Sequence, residues 1–561
     1  MQIKKTLVRL LVFLFPLTSL AQTTYLTQGD KGNILMERLE IKSRSDSFFN
    51  FSKAKPYSRK HVVNAVQHYA EFNTKSISTV DAYNIQRLYI NNLEWLSEAD
   101  RAKYNSKKPI GKNFYKTPAS LYEVHIKDFD LVVNPVIQYT LSKESNSNEK
   151  LFLNTRGVSI RGRLANKIGF YSYITDNQER DPAYVRQLVS QRRAVPGQGL
   201  YKAFKGTGYD YFDARGYFTF NVTKYIDVAF GYDKNFIGNG HRSLFLSDFS
   251  NNNLFLKLNT RIWKINYQNL FMELHAAEIP GTGNTLLPKK YAAMHHLDIN
   301  VTKWLNIGLF EGVVFGRKNR FDFGYLNPII FYRSVEQQNG SFDNSIIGLD
   351  AKANVGKGIQ VYGQLALDEF LLSEIKSNRG WWANKYAMQI GAKYIDAFGI
   401  KNLDLQVEHN RSRPFTYSHY DSVANYTHYN QPMAHPLGAN FKEFIGIARY
   451  QPAPKWLAVA KLIYYQQGRD SSNRNFGSNI VLPNSPPFRQ GDFGYNIGSG
   501  WKTNVFYASL FLSYELRENL FIEFNAVARN QKAVTAPLTT ANTSVITFGV
   551  RWNMHRREFD F

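Results

Sequence analysis

From about residue 120 onward the polarity of the side chains alternates with a period of two, and no other feature narrows the possible folds as much. Leu403, Leu405 and Val407 alternate with Asp404, Gln406 and Glu408, and Val158, Ile160, Gly162 and Leu164 with Ser159, Arg161 and Arg163. Ile359, Val361, Gly363, Leu365 and Leu367 alternate in the same way with Gln360, Tyr362, Gln364, Ala366 and Asp368. Successive side chains of a strand point to opposite faces, so such a sheet has one apolar face and one polar, charged face. A membrane barrel turns the apolar face to lipid and keeps the polar face inside.

Very short connections, each with a basic residue, recur at Lys167, Lys224, Lys264, Lys303, Lys357, Lys401, Lys455 and Arg517. Each interval between them accommodates two strands of about ten residues and a longer, variable loop. Eight turns define sixteen strands. One strand before the first turn (roughly 129–140) and one after the last (roughly 544–553) bring the total to about eighteen. The sequence thus predicts an all-β membrane barrel, an antiparallel outer-membrane barrel of about 18 strands spanning residues 121–561. Short turns face the periplasm and long loops face the exterior. The sequence ends in Phe559, Asp560 and Phe561, an aromatic terminus of the kind that barrel-assembly machinery recognises.

Composition supports this reading and excludes others. Aromatic residues make up 15% of the chain while mean hydropathy is only -0.38, and no window beyond the N-terminus approaches the length of an apolar spanning helix. The absence of cysteine excludes disulfides, thiol catalysis and cysteine metal sites. A net charge of +24 calls for acidic partners. For an exported protein these are acidic surface polysaccharide and lipopolysaccharide phosphates in the outer-membrane lipid, not nucleic acid.

Export is read from residues 1–21, where Lys4, Lys5 and Arg9 precede an apolar run closed by Ser19, Leu20 and Ala21, the pattern of a signal peptide. Gln22 follows. Residues 22–120 read as an N-terminal periplasmic segment with short helices. Ser58 caps a face of Val62, Ala65, Val66, Tyr69 and Phe72, Ser78 with Asp81 forms a capping-box pattern ahead of Ile85 and Leu88, and a third helix lies around residues 36–41.

Catalytic signatures are absent: there is no G-x-S-x-G, H-E-x-x-H or P-loop. His295, His296, His409, His419, His428 and His435 lack metal-ligand spacing, so no metal, cofactor or enzymatic activity is expected. Asp368, Glu369 and Glu408 read as lumen carboxylates paired with Arg161, Arg163 and Lys393. The densest special stretch surrounds Gly238, Gly240, His241, Arg242 and Asp248, and reads as a loop folded into the lumen and pinned by ion pairs. Basic and aromatic loop residues suit acidic glycan, and Arg192, Arg193, Arg242 and Tyr429 are the candidates.

The stretch GNGHRSLFLSDFS (238–250), together with FGYLNPIIFYRSVE (323–336), VYGQLALDEF (361–370) and WWANKYAMQIGAKY (381–394), resembles the Wzi family of capsule-assembly outer-membrane proteins. RPFTYSH (413–419) and AHPLGANF (434–441) are most similar to its gliding-motility branch. The resemblance implies an eighteen-strand barrel with a small periplasmic helical bundle and a non-enzymatic, lectin-like role in holding surface polysaccharide. For the gliding branch it implies a role in moving cells over surfaces, with gliding or adhesin machinery proteins as partners. The rival reading is a passive pore for small solutes. Inward folding of residues 234–253 argues for a plug and against free diffusion.

Overall fold

The structure is a computed structural model that describes residues 23–44, 49–73, 76–276, 287–318, 320–340, 343–356, 358–471, 474–535 and 540–561. Residues 1–21, read as a signal peptide, lie outside these. The wall begins with β1 (Phe129–Glu144), β2 (Leu151–Leu164), β3 (Ile168–Arg180), β4 (Gly208–Asn221), β5 (Ile226–Asp233) and β6 (Asn253–Ile262). It continues with β7 (Ile265–His275), β8 (Lys289–Asn300), β9 (Leu305–Phe315), β10 (Asn344–Val355), β11 (Ile359–Glu369) and β12 (Lys385–Tyr394). The last strands are β13 (Leu403–Ser412), β14 (Phe441–Tyr450), β15 (Trp456–Arg469), β16 (Trp501–Arg517), β17 (Leu520–Ala533) and β18 (Ala541–Trp552). Every neighbour is antiparallel, and β18 pairs with β1 from Val545 opposite Glu144 to Trp552 opposite Ile137, which closes an eighteen-strand barrel. Below that seam a short strand, Tyr122–Ile126, pairs with residues 129–133 and takes the place that β18 no longer reaches.

The eight short connections predicted from the sequence fall between paired strands, from β2–β3 to β16–β17, and define one end of the barrel, the turn end; Lys357, named for one of them, lies outside the described residues. The alternation is that of a membrane barrel. In β13 Asp404, Gln406, Glu408, Asn410 and Ser412 are buried, whereas Val407 is 60% exposed; in β12 Lys385, Gln389 and Lys393 are buried and Ile390 is 61% exposed. Polar residues inside and apolar residues outside invert the rule for a water-soluble domain and suit a wall facing hydrocarbon. Exposed Trp263, Trp304, Phe398 and Trp456 ring the turn end, where amphipathic rings match a lipid–water interface. Among the described residues no helix is long and apolar enough to cross a membrane.

Among the described residues, three segments occupy the lumen below the loop that joins β13 to β14. The first is the helical N-terminal segment, α1 (Lys31–Ser43), α2 (Arg59–Phe72) and α3 (Thr79–Ile90). The hydroxyl of Ser58 accepts from the His61 N–H and that of Ser78 from the Asp81 N–H, satisfying donors that a helix start leaves unpaired. Leu35, Leu39, Val62, Val66, Tyr69, Ile85 and Leu88 form its own small core, while Phe72, assigned to that face by periodicity, is exposed at the helix end. The outer surface of these helices is charged and docks into the turn end. Arg38 contacts Asp404 of β13, Glu40 contacts Lys352 of β10, Glu37 lies 2.7 Å from Lys393 of β12, and Glu94 lies 3.0 Å from Arg161 of β2. The helices therefore sit against the inner wall at the turn end and are not a separate body.

The second segment is the loop between β5 and β6. Its Phe236 and Ile237 pair with Lys55 and Ala54 inside the barrel. The third is residues 553–561. The last strand, expected at roughly 544–553, runs to Trp552 as β18, and the aromatic terminus beyond it turns back up the lumen, where Asp560 and Phe561 are buried. His555, Arg556, Arg557, Glu558 and Asp560 place five ionisable groups in seven residues, which a lipid-facing strand does not tolerate.

The loop between β9 and β10 takes the opposite course and lies on the outer wall. Glu311, on the outward side of β9, accepts from the Tyr332 and Arg333 N–H groups that begin α4 (Tyr332–Asn339), at 3.0 and 3.2 Å. The Pro328 carbonyl accepts from Tyr267 Oη at 2.6 Å and Asn269 Nδ2 at 3.0 Å. The loop thereby covers polar groups that hydrocarbon would leave unsatisfied.

Candidate functional site

Two places qualify: the interior under the inward loop, and the loop end above it. The inward loop is fixed to the wall at closely spaced points. Gly238 donates its N–H to the Lys53 carbonyl at 2.9 Å. A Cβ at Gly240 would lie 2.6 Å from both the Arg242 carbonyl and Glu408 Oε2, so only glycine fits. The next two N–H groups, of His241 and Arg242, donate to the Glu408 carboxylate at 2.7 and 3.1 Å. The Arg242 guanidinium lies 2.8 Å from Asp560 and 3.4 Å from Glu443, and His241 Nε2 lies 2.8 Å from Asp560. Phe245 stacks on Phe310 at 4.5 Å.

From above, the loop between β13 and β14 locks this one in place. Tyr417 donates its hydroxyl to the Leu244 carbonyl at 2.8 Å, Tyr426 donates to that of Phe245 at 2.7 Å, and the Ser247 N–H donates to Met433 at 2.7 Å.

The four residues proposed from sequence for glycan binding do not form one site. Arg242 is buried in the lumen among carboxylates and faces no solvent outside the barrel. Arg192 ends the helix Ala183–Arg192 and ties two loops together, donating to the Pro436 carbonyl at 2.8 Å and lying over the Phe249 ring. Burial lowers its pKa to about 10. Arg193, in the left-handed C-cap position, is exposed. Tyr429 stacks on His275 at 4.9 Å, and its neighbour Asn430 donates to the Arg192 carbonyl at 3.1 Å, so Arg192 and Tyr429 belong to one loop junction. Asp248 is exposed, and its main-chain carbonyl accepts from Lys234 at 2.8 Å. His428 is buried, accepts from the His275 N–H at 3.0 Å and is driven down to about 3 by burial, which makes it a neutral structural group.

A different cluster at the loop end escaped the sequence reading. Arg379 lies 4.3 Å over Phe493, Arg474 lies 4.7 Å over Phe476 and 5.2 Å over Tyr495, and Arg489 lies 4.2 Å over Trp382. Arg413 holds the base together by donating to the carbonyls of Asn384 at 2.7 Å, Trp381 at 3.1 Å and Tyr495 at 2.9 Å. Phe488, Phe493 and the Arg379 side chain are exposed. Aromatic faces beside guanidinium groups suit the apolar faces and acidic substituents of sugars. The signal in the sequence was the Trp381–Trp382 pair and the arginines spaced through the Asn/Gly-rich stretch 468–500.

No protein-family model matches the sequence, and no curated protein matches it. Among solved structures, the barrel aligns with Wzi from Escherichia coli over 96% of this chain and 100% of that one, with a TM-score of 0.56 and 11% identity. The chain is similar in fold to Wzi. Wzi is an outer-membrane protein involved in group 1 capsule assembly and a carbohydrate-binding β-barrel. OprD from Pseudomonas aeruginosa aligns over 76% of this chain and 96% of its own, with a TM-score of 0.43 and 10% identity.

Proposed function

We propose that the protein is a non-enzymatic outer-membrane barrel whose loop end binds and organises acidic polysaccharide at the cell exterior. Its short turns and N-terminal helices face the periplasm. The observation that carries this reading is the occupied lumen. Wall residues such as Gln364, Gln389 and Glu408, which an open channel would expose to water, are buried against the inward loop. The surface left for recognition is the loop end, where the arginine–aromatic cluster, Arg193 and the junction around Arg192 and Tyr429 offer many weak contacts to a repeating anionic chain.

The similarity to Wzi and the sequence stretches quoted above support a capsule-like role. The resemblance of residues 413–419 and 434–441 to the gliding-motility protein RemB extends the proposal to support of gliding over surfaces, with gliding or adhesin proteins as partners. A strain lacking the protein, complemented with variants of single loops, tests the proposal. Joint loss of surface glycan and spreading on removal of the 470–500 loop is expected. Normal glycan and spreading with altered uptake of small solutes would overturn it in favour of a solute channel.

A further inference from the structure

Below the inward loop, between the wall, the N-terminal helices and residues 555–561, lies a cavity of about 400 Å³, within the size range of small-molecule sites. Five lysines and six arginines line it against four carboxylates, and four of those cations, Lys31, Arg215, Arg551 and Arg557, pair with Glu515, Asp213, Glu523 and Glu179 just behind the lining. Three of those carboxylates are already held twice. Glu37 lies 2.7 Å from Lys393 and 3.6 Å from Arg449, Glu558 contacts Lys461 and Arg556, and Asp560 contacts Lys461 and Arg242. The fourth, Asp248, acts on Lys55 and Lys234 only through its field.

Among the described residues, two of the lining cations have no carboxylate within ion-pair distance. Lys55 lies 4.8 Å from the Phe236 ring centroid, and Lys234 donates only to the carbonyls of Gly197 and Asp248, each at 2.8 Å. Both remain half-buried within the barrel, with surface open to the cavity. Two such uncompensated ammonium groups in a confined space repel each other and attract a multivalent counter-ion.

We infer that this chamber is a binding site for a small phosphate-bearing oxyanion, with Lys55 and Lys234 as its anchors and Lys393 and Arg449 supplying the surrounding field. The electrostatics agree with the geometry. Burial and the neighbouring Lys393 hold Lys55 at about 8, and burial and Arg215 hold Lys234 at about 8. A bound dianion relieves this by favouring the charged ammonium forms. The size of the chamber sets it apart from the polymer-binding role of the loop end, and the inference does not depend on that role. A second cavity of about 180 Å³ adjoins it toward the turn end and shares Lys31, Arg449, Arg551 and His555, so the site is continuous with that side of the barrel.

The test uses the full-length protein in detergent, with pyrophosphate as the probe and sodium chloride at matched ionic strength as the reference. Ligand binding to the native state alone raises the melting temperature in a saturable way. The expected result is a saturable rise with pyrophosphate beyond that with chloride, absent in the Lys55→Gln/Lys234→Gln double variant and retained in Lys55→Arg. No rise, or an undiminished rise in a double variant whose circular dichroism matches the parent, overturns the proposal. So does a lysine-dependent rise with glucuronate but none with pyrophosphate, which would assign the chamber to carboxylates. Should the double variant not fold, calorimetric titration of the unaltered protein decides: one site per chain is expected, and no saturable heat is the contrary result.

Discussion

The two ends of the lumen are filled by different mixtures of charge pairs and neutral hydrogen bonds. At the turn end the helices are joined to the wall by charge: Arg38 to Asp404 and Asp81, Lys352 to Glu40, Lys53 to Asp298 and Asp350, Arg87 to Glu515 and Glu518. Toward the loop end buried charge pairs also occur, Lys385 with Asp368 and Arg557 with Glu179, but there hydroxyls and amides in addition bond main-chain carbonyls, as Tyr417 does to Leu244, Tyr426 to Phe245 and Gln467 to Leu437 and Ala439. Both satisfy buried polar groups, but their failure modes differ. Removing one member of a buried charge pair strands the other, whereas a neutral hydrogen bond lost near a carbonyl costs far less. The helices at the turn end are thus held by a few positions of high consequence, and the contact between the inward loop and the loop above it by several of small consequence.

The largest expected effect follows from this difference. Arg38→Ala leaves Asp404 and Asp81 without a buried guanidinium and should destabilise the docked helices by about 3–5 kcal/mol. Hydrogen exchange should rise across α1–α3 while the wall strands keep their protection. Gly240→Ala comes next, because its Cβ meets the Arg242 carbonyl and Glu408. Overpacking of this kind costs about 1–3 kcal/mol and should raise protease sensitivity in residues 234–252. Tyr417→Phe removes one hydroxyl-to-carbonyl bond and should cost about 1 kcal/mol in denaturant unfolding. The smallest effect belongs to the outer wall, where Arg156 and Asp176 pair at 2.7 Å with Arg156 largely exposed; Arg156→Gln should change stability by no more than about 1 kcal/mol. A Tyr417→Phe cost equal to that of Arg38→Ala would erase the distinction between the two ends.

The wall was the legible part of the sequence. Period-two alternation tells which side chains share a face, and the eight basic turns count the strands, because both are local consequences of strand geometry. The caps at Ser58 and Ser78 were legible for the same reason. Alternation does not say what fills the polar side. Glu37, Glu40 and Arg38 look like an ordinary solvated helix face, and their partners Lys393, Lys352 and Asp404 lie more than three hundred residues away. The last strand was expected at roughly 544–553 and ends at Trp552, but the inward path of residues 555–561 was not legible, because their partners Arg242, Lys461 and Glu179 lie on distant segments. On the outer wall, His295 and Glu311 stood where apolar residues belong, and α4 is what covers them. Arg242 appeared both as a surface candidate and as a lumen residue because a loop sequence does not encode which way the loop folds. That depended on Glu408, Gln364 and Asp560, from three distant segments.

Ion conductance of the intact protein in planar bilayers, compared with a variant lacking residues 234–252, tests the occupied lumen most directly. Little or no steady conductance from the intact barrel and a clear increase on loop removal are predicted. A large, stable open-channel current from the intact protein would contradict a closed surface-binding barrel and establish a channel instead.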